Sequence, residues 1–85
     1  MIHTSARTEY PQFAELTAGE FAQLLAMSKL SSAEKEIATQ CVVWHMCYAD
    51  IEPIVYMSRW TIARKMKRII LPELERMQKK MKAEA

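Results

Sequence analysis

The sequence predicts an all-α fold of four to five helices built as one domain. Three observations carry that expectation. One glycine, Gly19, and three prolines, Pro11, Pro53 and Pro72, occur in 85 residues, too few to punctuate the turns of a β-meander. Apolar side chains make up 51% of the chain, enough for one compact core, and the length leaves no room for a second. Those side chains recur at steps of three and four, which gathers them on single helix faces.

Residues 1 to 12 have no apolar period and include Pro11, so they read as a flexible arm that needs a partner to become ordered. At Leu16-Thr17-Ala18-Gly19-Glu20-Phe21 the signals for a helix start coincide: Thr17 caps, Glu20 bonds back to the cap, and Leu16 staples onto Phe21. A first helix is expected over about Ala18 to Ser28, with Phe21, Leu24, Leu25 and Ser28 on one face. A second capping box, Ser31-Ser32-Ala33-Glu34, opens a helix from about Ser32 to Met46. Ile37, Cys41, Trp44 and Tyr48 step along it by four, three and four, and Ala38, Val42 and His45 widen the stripe. Most of this helix should be buried, His45 with it as a satisfied core residue.

Asp50-Ile51-Glu52-Pro53 opens a short third helix ending near Tyr56, since an acidic residue suits a helix N-terminus and proline is tolerated in the first turn. Ser58 caps a fourth, apolar at Ile62, Met66, Ile69 and Ile70, with Arg59, Trp60, Ala63, Arg64 and Lys67 on its other side. Pro72 should kink or stop that helix, so that residues 13 to 71 form the domain and 72 to 85 a basic C-terminal helix or tail, helical from Glu73 to about Lys82. Ile70, Leu74, Met77 and Met81 step by four, three and four. That pattern fits either a short homodimer seam or packing back onto the same domain.

The net charge of +2 conceals a division. Met1 to Ser58 holds three basic residues against seven acidic ones, whereas Arg59 to Ala85 holds nine basic against three acidic. Between Arg59 and Leu71 stand five cations, Arg59, Arg64, Lys65, Lys67 and Arg68, with no acid among them. A solvated helix usually mixes signs for intrahelical pairing. Local positive charge of this kind points to a polyanion.

Other classes find little support. The longest uncharged stretch, Ile37 to Ala49, is thirteen residues and too short to span a bilayer. Met-Ile-His-Thr-Ser lacks the basic start and apolar run of a secretory signal, so the expected location is cytoplasmic and no membrane partner is expected. Cys41 and Cys47, six apart, read as reduced, buried apolar thiols. Cys41 and His45 lack a second Cys/His pair, so no metal or other cofactor is expected. Two histidines, no glycine-rich phosphate loop and no placed carboxylate pair argue against an enzyme.

Two helices joined by about three residues, the second basic, fit the geometry of a helix-turn-helix at about residues 47 to 70. Cys47-Tyr48-Ala49-Asp50-Ile51, followed by Ser58-Arg59-Trp60-Thr61-Ile62, resembles the helix-turn-helix of sigma factor region 4 and of LuxR-type regulators. Leu30-Ser31-Ser32-Ala33-Glu34-Lys35-Glu36-Ile37 is similar to the supporting helix of the same families, so the resemblance covers about residues 30 to 77. It departs at Glu52, where those families have a small alanine, at Pro53, and at Tyr56, where the turn often has glycine. A tyrosine does not reach positive φ cheaply, which predicts a more open turn.

The resemblance implies a small sequence-specific transcriptional regulator that binds double-stranded DNA through helix 59–70 in the major groove. It places Ser58 and Thr61 near phosphate, Arg59, Trp60, Ala63 and Arg64 toward base edges, and Lys67 at the groove margin. Lys65, Lys67 and Arg68 suit diffuse phosphate contacts, and either arginine of the base-facing set can bond both acceptors of a guanine edge. Trp60 either touches a thymine methyl or sugar or packs on the domain. Chain size fits a phage or mobile-element origin. Two rival functions use the same fold: an adaptor that binds RNA polymerase or a transcription factor, and a phage packaging or replication protein that binds DNA.

Overall fold

The computed structural model describes residues 10 to 84, and every regular element among them is helical. A 3-10 turn at Pro11–Phe13 precedes α1 (Ala18–Met27), α2 (Ser32–Ala38), α3 (Tyr48–Val55), α4 (Arg59–Lys65) and α5 (Leu71–Glu84). Two of these run on as π-helix: α2 through Thr39–Val43, and α4 through Met66–Ile70 into α5. The protein is all-α, as its composition and periodicity predict.

Both predicted capping boxes close. Thr17 Oγ1 accepts from the Glu20 amide at 3.1 Å while the Thr17 amide donates to Glu20 Oε1 at 2.8 Å. Ser31 and Glu34 make the same reciprocal pair at 3.2 and 3.0 Å. Each box satisfies amides that have no partner inside the helix, so α1 and α2 start where the sequence places them.

The core joins Leu24 of α1, Ile37, Ala38 and Cys41 of α2 and its extension, Ile51 of α3, Ile62 of α4, Met66 and Ile70 of the π segment, and Leu74 and Met77 of α5. α5 packs against α1, the Met66–Ile70 segment against α2, and α3 against both α2 and α4. Phe13 and Phe21 meet edge to face, their ring centroids 5.4 Å apart, which anchors the 3-10 turn to α1.

The helix from Arg59 to Glu84 passes through Pro72 instead of stopping there. Proline removes one backbone donor and crowds the carbonyl four residues before it. Here the Leu71 amide reaches back five residues to Met66 O, and this wide turn gives the ring room just before it arrives. Of the helix or tail expected after Pro72, residues 72 to 84 are the helix. Ile70, Leu74 and Met77 are buried within the single chain and Met81 packs partly against the same core, so the seam is intramolecular.

Other expectations change in detail. Residues 1 to 9 of the expected arm lie outside the described residues, but Tyr10 is buried. Gln12 also binds α5, its Nε2 donating to Glu75 Oε2 and its carbonyl accepting from Gln78 Nε2. α1 ends at Met27, with Ser28 as its cap. α3 starts at Tyr48, so Pro53 stands in the helix interior, on its solvent-exposed side.

The helix containing α2 closes at Trp44, because His45 turns into the left-handed region at φ 58°. That turn leaves both Trp44 and His45 exposed instead of buried. Cys41 is buried, whereas Cys47 is exposed with its Sγ donating to Asp50 Oδ2 at 3.2 Å. Ile69, expected in the apolar stripe of α4, is exposed.

Because Leu74 is fully enclosed by its own chain, Leu74→Ala should lower the free energy of unfolding by about 2–5 kcal/mol. Urea titration at several protein concentrations checks this. A transition midpoint that moves with concentration would restore the dimer seam.

Candidate nucleic-acid interface

The predicted site residues lie on α4 and the π segment after it, joined to α3 by the three-residue connection Tyr56, Met57 and Ser58. Ser58 caps α4 by accepting from the Thr61 amide at 3.2 Å, and the two hydroxyls lie 3.1 Å apart. Both hydroxyls are thus partly used in fixing the helix start.

The turn closes through Glu52. Its backbone carbonyl accepts from the Tyr56 amide at 2.8 Å. Its carboxylate Oε2 accepts from the Arg59 amide at 2.6 Å and from Arg59 Nε at 3.1 Å. These bonds, the backbone amide foremost, hold the Glu52 carboxyl below the ordinary glutamate value of 4.5. Tyr56 adopts φ 56° and ψ 43°, so the turn is tight and left-handed at a tyrosine, contrary to the open turn expected. That backbone costs a residue with a Cβ about 1–2 kcal/mol. The ring recovers little of it, because Tyr56 is 91% exposed.

The five cations do not form one surface. Trp60, Arg64 and Lys67 follow one another by four and three residues and are all exposed, with Ala63 half-buried beside them. Trp60 is 75% exposed, which removes the reading in which it packs on the domain. Lys65 turns the other way: its Nζ lies 3.2 Å from Glu34 Oε2 on α2, and both side chains are largely covered. Arg68 lines a groove with Leu30, Glu34, Ile69 and Glu73, on the Lys65 side of the helix. Arg59 is tied to Glu52 through Nε, its side chain still half exposed. Among the described residues, no carboxylate pairs with Arg64 or Lys67.

Sequence reasoning on its own overlooked Glu52 as the brace of the turn and Tyr56 as an exposed ring. The signal for Glu52 was present: a carboxylate seven residues before an arginine, across a turn short enough to bring them together. Exposure of Tyr56 had no sequence signal, since aromatic residues in a small helical chain are more often buried than not.

No family model, no curated protein and no solved structure matches the chain. Among the described residues, no helix is long and apolar enough to cross a membrane.

Three glutamates have carboxyls held below 4.5: Glu34 by the Ser31 amide and Lys65, Glu52 by the Arg59 amide and side chain, and Glu73 by the Lys29 amide and Arg76. A lowered folded-state value stabilises the fold in full above the unfolded value and loses that stabilisation as the pH falls through the folded one. Stability should therefore drop as the pH falls below about 4.3, the unfolded glutamate range. Circular dichroism of the parent and of a Glu34→Gln, Glu52→Gln, Glu73→Gln variant checks this, with a shallower acid limb expected in the variant.

Proposed function

We propose that this protein binds double-stranded DNA as a small sequence-specific transcriptional regulator, laying the outward face of α4 and its π extension in the major groove. One observation carries the reading: Trp60, Arg64 and Lys67 form an exposed stripe on one helix, and neither cation has a carboxylate partner among the described residues. Unpaired cations along a projecting helix suit a surface of regularly spaced phosphates. The helix of α3, the short braced turn and α4 have the order of a helix-turn-helix, and the Glu52 bonds make that turn rigid enough to present α4.

Within this reading the roles are unequal. Arg64 is the best candidate for a guanine edge, since its guanidinium is exposed and uncommitted. Lys67 meets phosphate at the groove margin. Arg59 contributes through the guanidinium nitrogens that Glu52 leaves free, held in one orientation by the Nε bond. Lys65 drops out of the set, because it is committed to Glu34.

A second reading is an adaptor that binds RNA polymerase or a transcription factor. It is favoured by the exposure of Ile54, Tyr56 and Trp60 around the turn, since exposed apolar clusters mark protein contacts as well.

Under the DNA reading, Arg64→Ala should cost about 1–3 kcal/mol in binding to a selected duplex, and Lys67→Ala should weaken all duplexes alike and flatten the salt slope by about one unit. Fluorescence anisotropy over a salt series measures both. Duplex binding that ignores salt sinks the proposal. Under the adaptor reading, a variant with Arg59, Arg64 and Lys67 all changed to alanine should still co-purify with polymerase, and loss of that contact removes the second reading.

A further inference from the structure

Two large rings stand in solvent at the same corner of the molecule. Tyr56 is 91% exposed and Trp60 75% exposed, and they are four positions apart in the chain, a backbone span of at most about 14 Å. Glu52 brings their backbones closer than that limit requires. Its carbonyl holds the Tyr56 amide at 2.8 Å and its carboxylate holds the amide of Arg59, next to Trp60, at 2.6 Å. Tyr56 keeps a left-handed backbone that glycine adopts at no steric cost, and no burial of its ring offsets the strain. Strained backbone of this kind clusters at ligand clamps and other functional sites.

Charge identifies the class of ligand. Arg64 lies one helical turn beyond Trp60 and Lys67 about 10 Å beyond it, both exposed and both without a carboxylate among the described residues. An exposed planar ring followed along one helix by unpaired cations suits a ligand with flat apolar faces on an anionic backbone. Inside a duplex those faces are hidden by stacking on one another. Unpaired bases offer them, and aromatic side chains then act as sequence-tolerant platforms.

We propose that Tyr56 and Trp60 form a stacking platform for unpaired DNA bases, so that this surface engages a duplex where it meets a single strand. The inference rests on the DNA reading above. In this arrangement Arg64 and Lys67 hold the backbone of the paired part, and the two rings take the first unpaired bases at the N-terminal end of α4.

The test uses the full chain carrying Trp44→Phe, which leaves Trp60 as its one tryptophan. Three probes are titrated: a blunt duplex, the same duplex with an unpaired thymidine tail, and the tail alone. The tail should tighten binding by about tenfold or more and quench Trp60 emission. Trp60→Ala and Tyr56→Gly, the second of which keeps the left-handed turn, should each lose most of that gain, read as the ratio of tailed to blunt affinity within each variant, and Tyr56→Gly should retain affinity for the blunt duplex; the emission of Trp60 is followed in the second variant and anisotropy in both. Equal affinity for tailed and blunt duplex, or a tail gain that survives in both variants, overturns the platform and leaves the DNA reading standing. Failure of the parent to bind any of the three probes overturns both. Poly-glutamate bound as tightly as the tailed duplex, and lost equally in Trp60→Ala, overturns the platform in favour of an acidic protein partner.

Discussion

Everything in this fold depends on one apolar stripe staying on one face of the helix that runs from Arg59 to Glu84. Ile62, Met66, Ile70 and Leu74 are all buried, and they follow one another by fours. In an ideal α-helix each step of four overshoots a full turn by about 40°, so three steps would rotate the stripe by about 120° and carry Leu74 off the core. A π turn is wider, about 4.4 residues per turn, so a step of four within it falls short of a full turn and reverses part of the drift. The Met66–Ile70 segment lies in the middle of the stripe. It therefore keeps Ile62, Met66, Ile70, Leu74 and Met77 in one core while α4 packs on α3, the π segment on α2 and α5 on α1, and it accommodates Pro72 at the same time.

The same stripe fixes what the opposite face can present. With Ile62 and Met66 turned inward, Trp60, Arg64 and Lys67 must turn outward, and Lys65 must lean toward α2. The acidic first half and basic second half of the chain are then not simply two regions of opposite charge. Glu34 meets Lys65, and Glu52 meets Arg59, so acids from the first half consume two of the five cations between Arg59 and Leu71. Glu73 belongs to the second half and links back to the Lys29 amide, beside its pair with Arg76. The Arg59 and Arg76 pairs, with half-exposed guanidinium groups, add little stability each. The effect of the pairs is geometric: they fix elements relative to one another and leave a narrower cationic stripe than the sequence implied.

The helix starts were legible because each is written in a local code: Thr17 with Glu20, Ser31 with Glu34, and Ser58 all cap as their sequence contexts indicate. The helix ends were less legible, because they depend on backbone register. Neither the π turn ahead of Pro72 nor the left-handed His45 after Trp44 has a residue signature as strong as a capping box. A kink or a stop at Pro72 was the natural expectation from the covalent chemistry of proline. The stop does not occur, and the evenly spaced buried stripe on both sides of Pro72 is what favours continuation. Of the candidate site, the set of residue types was visible in the sequence, but not its division between an outward stripe and an inward pair. That division depends on Glu34 and Glu52, which lie 31 and 7 residues from the cations they hold.

Glu52 and Tyr56 act together in the structure. A glycine in the turn would take the left-handed backbone freely, and a small residue at position 52 would leave the Arg59 amide to water. Here a tyrosine takes that backbone under strain, and a glutamate on the last full turn of α3 binds the turn from both sides through its carbonyl and its carboxylate. The two residues compensate in mechanics: Glu52 supplies the bonds that hold Tyr56 where its own φ preference would not. What they do not compensate is exposure, since nothing in the fold requires a ring at position 56. A brace that maintains a strained, exposed tyrosine four positions before an exposed tryptophan is better explained by what those rings meet outside the chain than by any need of the fold itself.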